Sequence, residues 1–561
     1  MVLKEVENEI NRIIDILKRD QTIDGSWNYP FETGISTDAY MIILLRTLEI
    51  DDEELIKQLV DRILNKQEKN GAWKLYYDEG EGNLSATIEA YYSLLYSGYV
   101  INSDKRIIAA KRFILANGGI VKSHMFTKIL LALTKQYPWP SFFPIPLETL
   151  LLPISFPINF YDFSVYGRAN LVPIMILADK KFSRKTPKSP NLTDLISTNK
   201  NEFSDWERTN EWRSIHAILK EGIKNLIELP EKIHAQASER GKQYMLNRIE
   251  MDGTFYSYFS STFFMIFALL SLGHSKDDPV ILKAVNGLKS MKTVINDHVH
   301  MQYTTANVWN TSLISFAMQK AGVSPFEPVI KKANQYLLNR QHHQYGDWVI
   351  HNSQSLPGGW GFSDINTINP DIDDTTAVLR SISQVAARNS NIREAWNKGM
   401  KWLISMQNND GGWAAFEKNV NKPIMNMLPI EGGKFLLTDP SSADLTGRTL
   451  EFLGKYTKIA KNSPSIKKAV QWLEKSQEND GSWYGRWGIC YIYGTWAAIT
   501  GLKAVGFSSE HKSIQKGIEW LKNIQNEDGG WGESCKSDLY NKYIPLGDST
   551  LTHTAWALDA L

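Results

Sequence analysis

Two kinds of hydrophobic pattern alternate along the chain. In IKKAVQWLEKSQ (466–477) and IQKGIEWLKNIQ (514–525), apolar residues recur at three- and four-residue steps, which predicts amphipathic helices. Small or apolar helical sequence follows, as in GTWAAITGLKAVG (494–506). Between such segments stands a repeated element. QTIDGSW (21–27), QEKNGAW (67–73), QNNDGGW (407–413), QENDGSW (477–483) and QNEDGGW (525–531) share Gln, three residues, Gly, one residue and Trp. QHHQYGDW (341–348) reads as a looser copy, and IEMDGTF (249–255) keeps the turn with Phe255 in place of Trp. Spacings of 46 residues from Trp27 to Trp73 and 48 from Trp483 to Trp531 fit one helix pair per repeat. The Asn-Asp-Gly element offers a turn where the first helix stops, because Gly tolerates positive φ. The Gln side chain can bond unpaired groups at helix ends, and the Trp can cover the junction with the next repeat. These motifs specify architecture, not chemistry.

Strand signals are scarce, so the pattern predicts an all-α protein of helical hairpins arranged as rings or a solenoid. At 561 residues the chain is too long for one core, and an early and a late block of repeats suggest two such units. The stretch 180–245, with KKFSRKTPKSPNLTD, reads as a long polar surface connection. YPWPSFFPIPLETLLLPISFPINFY (137–161) is broken by six prolines and cannot form a spanning helix. It is either a buried loop or a surface that dips into one leaflet. Lys and Arg total 62 against 61 for Asp and Glu, a net of +1, which gives no general attraction to nucleic acid or anionic lipid. Cys490 and Cys535 cannot make a disulfide framework, and the start MVLKEVENEINRII is amphipathic rather than a signal peptide, so a cytoplasmic protein is expected.

NPDIDDTTAVLR (369–380) crowds Asp371, Asp373 and Asp374 behind Pro370. Acids in a first helical turn accept from free backbone N–H groups and suit the positive end of the helix dipole, which is the structural explanation. The chemical one is that three adjacent carboxyl groups cannot all ionise cheaply, so one tends to keep its proton. Other candidates carry less. His342-His343 and His298-x-His300 lack a matching set of Cys, His or carboxylate ligands and are expected to be surface or loop histidines. Asp51-Asp52-Glu53-Glu54 has no aspartate-rich ionisation pattern, and no phosphate loop is present.

The acid cluster together with the Gln-to-Trp repeats resembles the squalene–hopene cyclase family of class II triterpene cyclases, over essentially the whole chain. PGGWGFSDINTINPDIDDT (357–375), MQNNDGGWAAFEKN (406–419) and GSWYGRWGICYIYGTW (481–496) look most similar to the Bacillus branch that cyclises tetraprenyl-β-curcumene and sometimes squalene. The resemblance implies two α/α barrels with the cavity between them. Residues 1–30 join the catalytic barrel formed by 301–561, and 31–300 form the inserted barrel. It also implies proton donation to an alkene by Asp373, supported by Asp371 and Asp374. Arg448, in DLTGRTLE (444–451), stands where the wider family has histidine. A guanidinium stabilises a carboxylate but cannot relay protons as imidazole does. Its alternative partner is Asp444, one helical turn away. Reprotonation then depends on water, with Tyr493 matching a family tyrosine near that route. Trp487, Phe362, Phe416, Trp309 and Tyr166 match cavity-wall aromatics, whose faces stabilise a cation without quenching it. Asn310 departs from an expected Asp. The family's helices continue beyond the point where HTAWALDAL ends, so the chain reads as shortened or truncated at its C-terminus.

The expected reaction is cyclisation of a C30–C35 polyprene, ended by proton loss or water capture, with no metal and no cofactor. The expected partners are the polyprenyl hydrocarbon and a membrane lipid surface contacted monotopically, with no nucleic acid and with room for a homodimer. The alternatives are a class II cyclase of a prenyl diphosphate and a non-catalytic lipid-binding barrel.

Overall fold

A computed structural model describes residues 2–140, 143–196, 231–428 and 433–561. The chain divides into two units. The first comprises Met1–Tyr29, Ala306–Val420 and Asp439–Leu561, and the second Pro30–Thr305 with Asn421–Thr438.

In the first unit, the helices Asn307–Lys320, Ile372–Ala386, Ala443–Tyr456, Cys490–Ala504 and Leu551–Ala560 each pack against the next in chain order. Pro328–Leu338, Ser390–Ser405, Pro464–Ser476 and Lys512–Asn523 alternate with them along the chain. The alternating set buries single stripes, such as Ile466, Ala469, Val470 and Leu473, and faces water elsewhere. Cys490–Ala504, by contrast, is buried at nearly every position. An inner and an outer layer of helices follow from that difference, as in an α/α barrel. Two inner helices approach backbone to backbone, since a Cβ on Gly447 would collide with the carbonyl of Ala497.

Each repeat element is a stitched corner. At Trp483, the backbone N–H donates to Thr495 Oγ1 at 3.0 Å, near the start of the following inner helix. Its indole N–H donates to Leu473 O at 2.8 Å, near the end of the preceding outer helix. Trp27, Trp73, Trp413 and Trp531 make the same two bonds, to Thr311, Thr87, Thr446 and Thr554 and to Leu17, Ile63, Leu403 and Leu521. Gln477 ties the corner to the next outer helix, donating to Gly481 O and Ser513 O, each at 2.8 Å. Gly481 has a φ of 100°, the left-handed region that favours glycine.

The looser copy is corrected. Gln341 reaches past 342–348 to donate to Gly358 O and Ala395 O, and the tryptophan with the repeat's bonds is Trp360, to Thr375 Oγ1 and Leu337 O. Trp348 is buried with its indole N–H unpaired. An inserted loop thus separates the Gln from its Trp.

The second unit contains helices from Ser36–Leu48 to Pro279–Ser290 and uses the same corner at Trp73 and at Phe255, whose N–H donates to Thr262 Oγ1 at 2.8 Å. Strand is confined, among the described residues, to one hairpin of Lys292–Ile295 and His298–Met301, turned by Asn296 and Asp297 at positive φ. Residues 197–230 of the expected surface connection lie outside the described residues. Its last part is not irregular. Glu231–Leu246 is a helix, because Ala237, Ser238, Gly241, Tyr244 and Met245 bury one face at helical spacing. Of the histidines, His343 is exposed and His342 is a loop residue, though a buried one; His300 departs from the expectation, since it lies in a strand, buried with Nδ1 3.0 Å from Asp38 Oδ1. Of the apolar stretch 137–161, residues 141–142 lie outside the described residues. Ile145, Leu147, Leu150 and Phe160 are buried, whereas Leu151, Ile154 and Phe156 are exposed. No helix among the described residues is long and apolar enough to cross a membrane.

Two tryptophans of one repeat should separate architecture from chemistry. Trp483→Ala is expected to lower the stability of the first unit by about 3–5 kcal/mol through the cavity it leaves. Trp487→Ala, at a side chain 47% exposed, should change it by less than about 1 kcal/mol. Denaturant unfolding of both variants measures this, and equal losses would contradict the division.

Candidate active site

The site begins where the Trp360 corner starts a helix. Asp371 N–H donates to Trp360 O, and Ile372 N–H to Ala415 O, each at 2.9 Å, so the acid segment is held between two neighbouring corners. Asp371 then caps the helix, its carboxylate accepting from Asp374 N–H at 2.8 Å. That is the structural role expected of an acid after Pro370, and Asp371 alone takes it.

Asp373 turns to another helix. Arg448 Nε lies 2.7 Å from Asp373 Oδ1, and the two side chains are 5% and 16% exposed. The contact is an ion pair by distance, with the N–H not aligned for a hydrogen bond. Arg448 Nη1 donates to Tyr493 OH at 3.1 Å, and Nη2 has no hydrogen-bond partner. Its guanidinium lies 5.3 Å from the Trp309 ring centre and 5.7 Å from that of Trp496. The alternative partner, Asp444, is engaged elsewhere. It accepts from Ser442 Oγ and from the N–H groups of Leu445 and Trp487.

The electrostatics follow from burial. Asp374 lacks water, and the charges of Asp371 and Asp373 add repulsion, so its carboxyl is held well above the usual carboxylate range. Burial raises Asp371 to about 7, against the hydrogen bond from Asp374. Burial pulls the Arg448 guanidinium down, but Asp373 and its other partners outweigh this and hold it charged. Burial raises Tyr493, so it stays a neutral phenol. The cluster therefore retains protons beside a fixed positive charge.

The expected aromatic residues divide. Trp309 and Phe362 stand 6.2 Å apart, with Trp309 over Arg448. Phe416 meets Trp487 edge-on at 5.6 Å. Asp439 fixes the Phe416 loop by accepting from the N–H groups of Ala415, Phe416 and Glu417. Tyr166 belongs to the second unit, where its hydroxyl meets that of Tyr303 at 2.7 Å. Asn310 donates to Tyr29 O rather than to the acid centre.

Sequence reasoning missed Trp496 and Trp556, which stack at 5.9 Å beside Tyr493. Trp496 lies three residues after Tyr493 on one helix face, a spacing that could have signalled it. A cavity of about 450 Å³ in the second unit, with buried Glu89 at its wall, was also unforeseen. Thr127 Oγ1 donates to Glu89 at 2.7 Å, and burial raises the carboxyl. Among the described residues no group of three or more potential ligands could hold a metal ion.

The profile of the squalene-hopene cyclase C-terminal domain matches residues 305–561, and that of the N-terminal domain matches 10–297. The chain belongs to the squalene–hopene cyclase family. It is a class II terpene cyclase. Sporulenol synthase of Bacillus subtilis is 45% identical over 98% of this chain and 87% of that protein. Squalene–hopene cyclase of Alicyclobacillus acidocaldarius is 33% identical, with the same coverage of 98% and 87%. Among solved structures, ent-copalyl diphosphate synthase from Streptomyces platensis shares the fold, with a TM-score of 0.52 at 14% identity over 99% of this chain and 87% of that one. The chain thus has the two-domain α/α fold of the family, and the acid cluster stands at an inner-helix start of one domain.

The buried ion pair yields a test within this family. Arg448→Ala should lower cyclase turnover by roughly a hundredfold, the effect of a few kcal/mol of lost transition-state stabilisation. Arg448→Lys should keep part of the activity, since charge remains while the planar fork is lost. Because the guanidinium is buried against two indoles, both variants should also melt lower. Turnover of the alanine variant within about a factor of two of wild type would remove Arg448 from the chemistry.

Proposed function

We propose that Asp373 is the proton donor of a cyclase acting on a long linear or partly cyclic polyprene, tetraprenyl-β-curcumene or squalene. The observation that carries this is the Arg448 guanidinium 2.7 Å from Asp373, beside two carboxyl groups raised by burial. An isolated alkene is a very weak base, so its protonation needs a strong acid shielded from water. Asp373 gives its proton to the terminal alkene carbon, leaving a tertiary carbocation and a carboxylate. Arg448 stabilises that carboxylate. Asp371 holds the helix start that aims Asp373, and Asp374 stays neutral behind it. Successive alkenes then attack the cation, forming rings, until a proton is lost or water adds. Phe362, Phe416, Trp309 and Trp487 supply aromatic faces to the migrating charge. Tyr493, a neutral phenol on Arg448, stands on the path by which water returns a proton to Asp373.

Incubating wild type and Asp373→Asn with each polyprene, followed by mass spectrometry and NMR of the extract, tests the assignment. Cyclic product from wild type and none from the variant are expected. Wild-type turnover by Asp373→Asn would overturn it. The ratio of products from the two hydrocarbons identifies the substrate.

A substrate this apolar partitions into lipid, so the protein meets it at a bilayer surface. Leu151, Ile154 and Phe156, at 36%, 52% and 48% exposure, support contact through the 137–161 stretch. Sedimentation with neutral and anionic liposomes should pull the protein down equally at low and high salt, given the net of +1. Protein wholly in the supernatant at every salt concentration would contradict this contact.

A further inference from the structure

Two of the contacts that hold Arg448 come from one helix, Cys490–Ala504. They are the Tyr493 hydroxyl, 3.1 Å from Nη1, and the Trp496 ring, whose centre lies 5.7 Å from the guanidinium. Both side chains are themselves held from a third helix, Leu551–Ala560. Its Trp556 ring centre is 4.6 Å from that of Tyr493, and the ring stacks on Trp496 at 5.9 Å with 21° between the planes. Its Asp559 accepts from Trp496 Nε1 at 2.7 Å. We propose that the helix Leu551–Ala560 braces Arg448, with Trp556 and Asp559 as positioning residues that act through Tyr493 and Trp496. The inference rests on Arg448 assisting Asp373 in the proposed reaction.

The brace is fixed at its start by a repeat corner. Thr550 N–H donates to Trp531 O at 2.8 Å, Trp531 N–H donates to Thr554 Oγ1 at 3.1 Å, and Thr550 Oγ1 accepts from His553 N–H at 3.1 Å. His553 Nε2 lies 3.2 Å from Ile489 O, the N-cap residue of the Cys490–Ala504 helix. His553, Trp556 and Asp559 stand at three-residue steps, so one side of the helix meets its neighbour along its length.

A guanidinium needs such support because its hydrogen bonds do not fix it. Arg448 Nη2 has no hydrogen-bond partner, and Nε meets Asp373 Oδ1 without an aligned bond. The plane of the group is therefore set largely by what packs against it. An indole face attracts a cation over a range of positions, so it directs the cation only when the indole itself cannot turn. The bond to Asp559 and the stack on Trp556 remove that freedom from Trp496, and the same Trp556 ring confines Tyr493. The guanidinium then waits in place before charge develops on the acid, with no reorganisation during the step. Asp559 is exposed and its charge also acts on Lys455, whose side chain is 48% exposed, so water screens it and its influence on Arg448 runs through the indole. Neither Trp556 nor Asp559 touches a reacting atom in this scheme.

These roles have distinct signatures. Asp559→Ala releases the indole and should lower kcat about tenfold, the worth of one well-placed cation–π contact, with KM unchanged because no substrate contact is removed. Asp559→Asn keeps an oxygen to accept from Nε1 and should stay within about a factor of three of wild type. Both variants should melt close to wild type, since position 559 is exposed. In Arg448→Ala the braced group is gone, so adding Asp559→Ala should cost nothing more. A purely structural role would instead cost the same in either background.

The experiment is steady-state turnover of squalene and tetraprenyl-β-curcumene in neutral detergent by Asp559→Ala, Asp559→Asn, Arg448→Ala and the Asp559→Ala/Arg448→Ala double variant, with thermal melting alongside and Asp373→Asn as reference. A fall in kcat for Asp559→Ala, its recovery in Asp559→Asn and a double variant no slower than Arg448→Ala support the proposal. Wild-type turnover by Asp559→Ala, an asparagine variant as slow as the alanine one, or losses that multiply in the double variant overturn it. Impaired Arg448→Ala beside unimpaired Asp559→Ala removes the brace alone. An active Arg448→Ala or Asp373→Asn removes the reading on which the brace depends, and the brace with it. Trp556→Phe and Trp556→Leu give a second reading. Phenylalanine keeps a stacking ring, so only the leucine variant should slow, and equal turnover of the two would contradict the part given to Trp556.

Discussion

One backbone bond organises the acid centre. Trp360 N–H donates to Thr375 Oγ1, and that threonine directly follows Asp374. The same Trp-to-Thr bond recurs at the other corners, where the next helix carries no acid cluster. The repeat therefore supplies a rigid helix start, and the acids occupy one instance of it. With Asp371 tied to Trp360 O and capping Asp374 N–H, the helix start leaves Asp373 able to face an adjacent inner helix. Its partner is set by a second constraint. Gly447 lets the Arg448 helix lie against the Cys490–Ala504 helix without a side chain between them, and Tyr493 then reaches the guanidinium. Chemistry is placed here by backbone geometry, which tolerates little error at 2.7 Å.

Burying this much charge is expensive unless it is paired. The acid centre meets that cost in two ways. Asp371 and Asp374 drift toward neutrality, because a protonated carboxyl needs less solvation than a carboxylate. Arg448 cannot become neutral in the same way, so its charge is held by the Asp373 side chain, a phenol and two indole faces. Nη2 of this guanidinium and Oδ1 of Asp374 have no hydrogen-bond partner, and Asp373 Oδ1 meets Arg448 Nε as an ion pair without an aligned hydrogen bond. Buried groups with spare capacity are where protons and charge can be rearranged, in contrast to Asp444 and Asp439, whose oxygens are occupied in fixing loops.

Much of the fold was legible because the corners are local. Gln, Gly and Trp within seven residues announce a junction whatever lies around it, and helical spacing does the rest. The failure at 341–348 has the same origin. The insertion between Gln341 and Trp360 breaks the local spacing, and Trp348 offered a false completion. At the site, Asp371, Asp373 and Asp374 were visible as a run, but which acid caps and which reaches out depends on the helix start. The partner of Arg448 was ambiguous because Asp444 is near in sequence and Asp373 is not. Nothing in a linear pattern ranks a contact across 75 positions above one across four. Trp556 was missed for the same reason, since it meets Tyr493 from another helix.

The arginine also changes how the aromatic residues should be read. Trp309 and Trp496 already face a resident cation, since Arg448 lies over both rings. Part of their negative face is committed to holding that guanidinium, which on the proposed mechanism assigns them to the start of the reaction. Trp487 is 47% exposed, with Phe416 edge-on to it and the Arg486 guanidinium 6.0 Å from its ring centre, and its backbone is fixed by Asp444. On the proposed mechanism, a cation formed later would therefore compete with Arg486 for the Trp487 face and meet Phe416 without such a competitor. The same interaction recurs at two points of one unit, with a guanidinium resident at each indole.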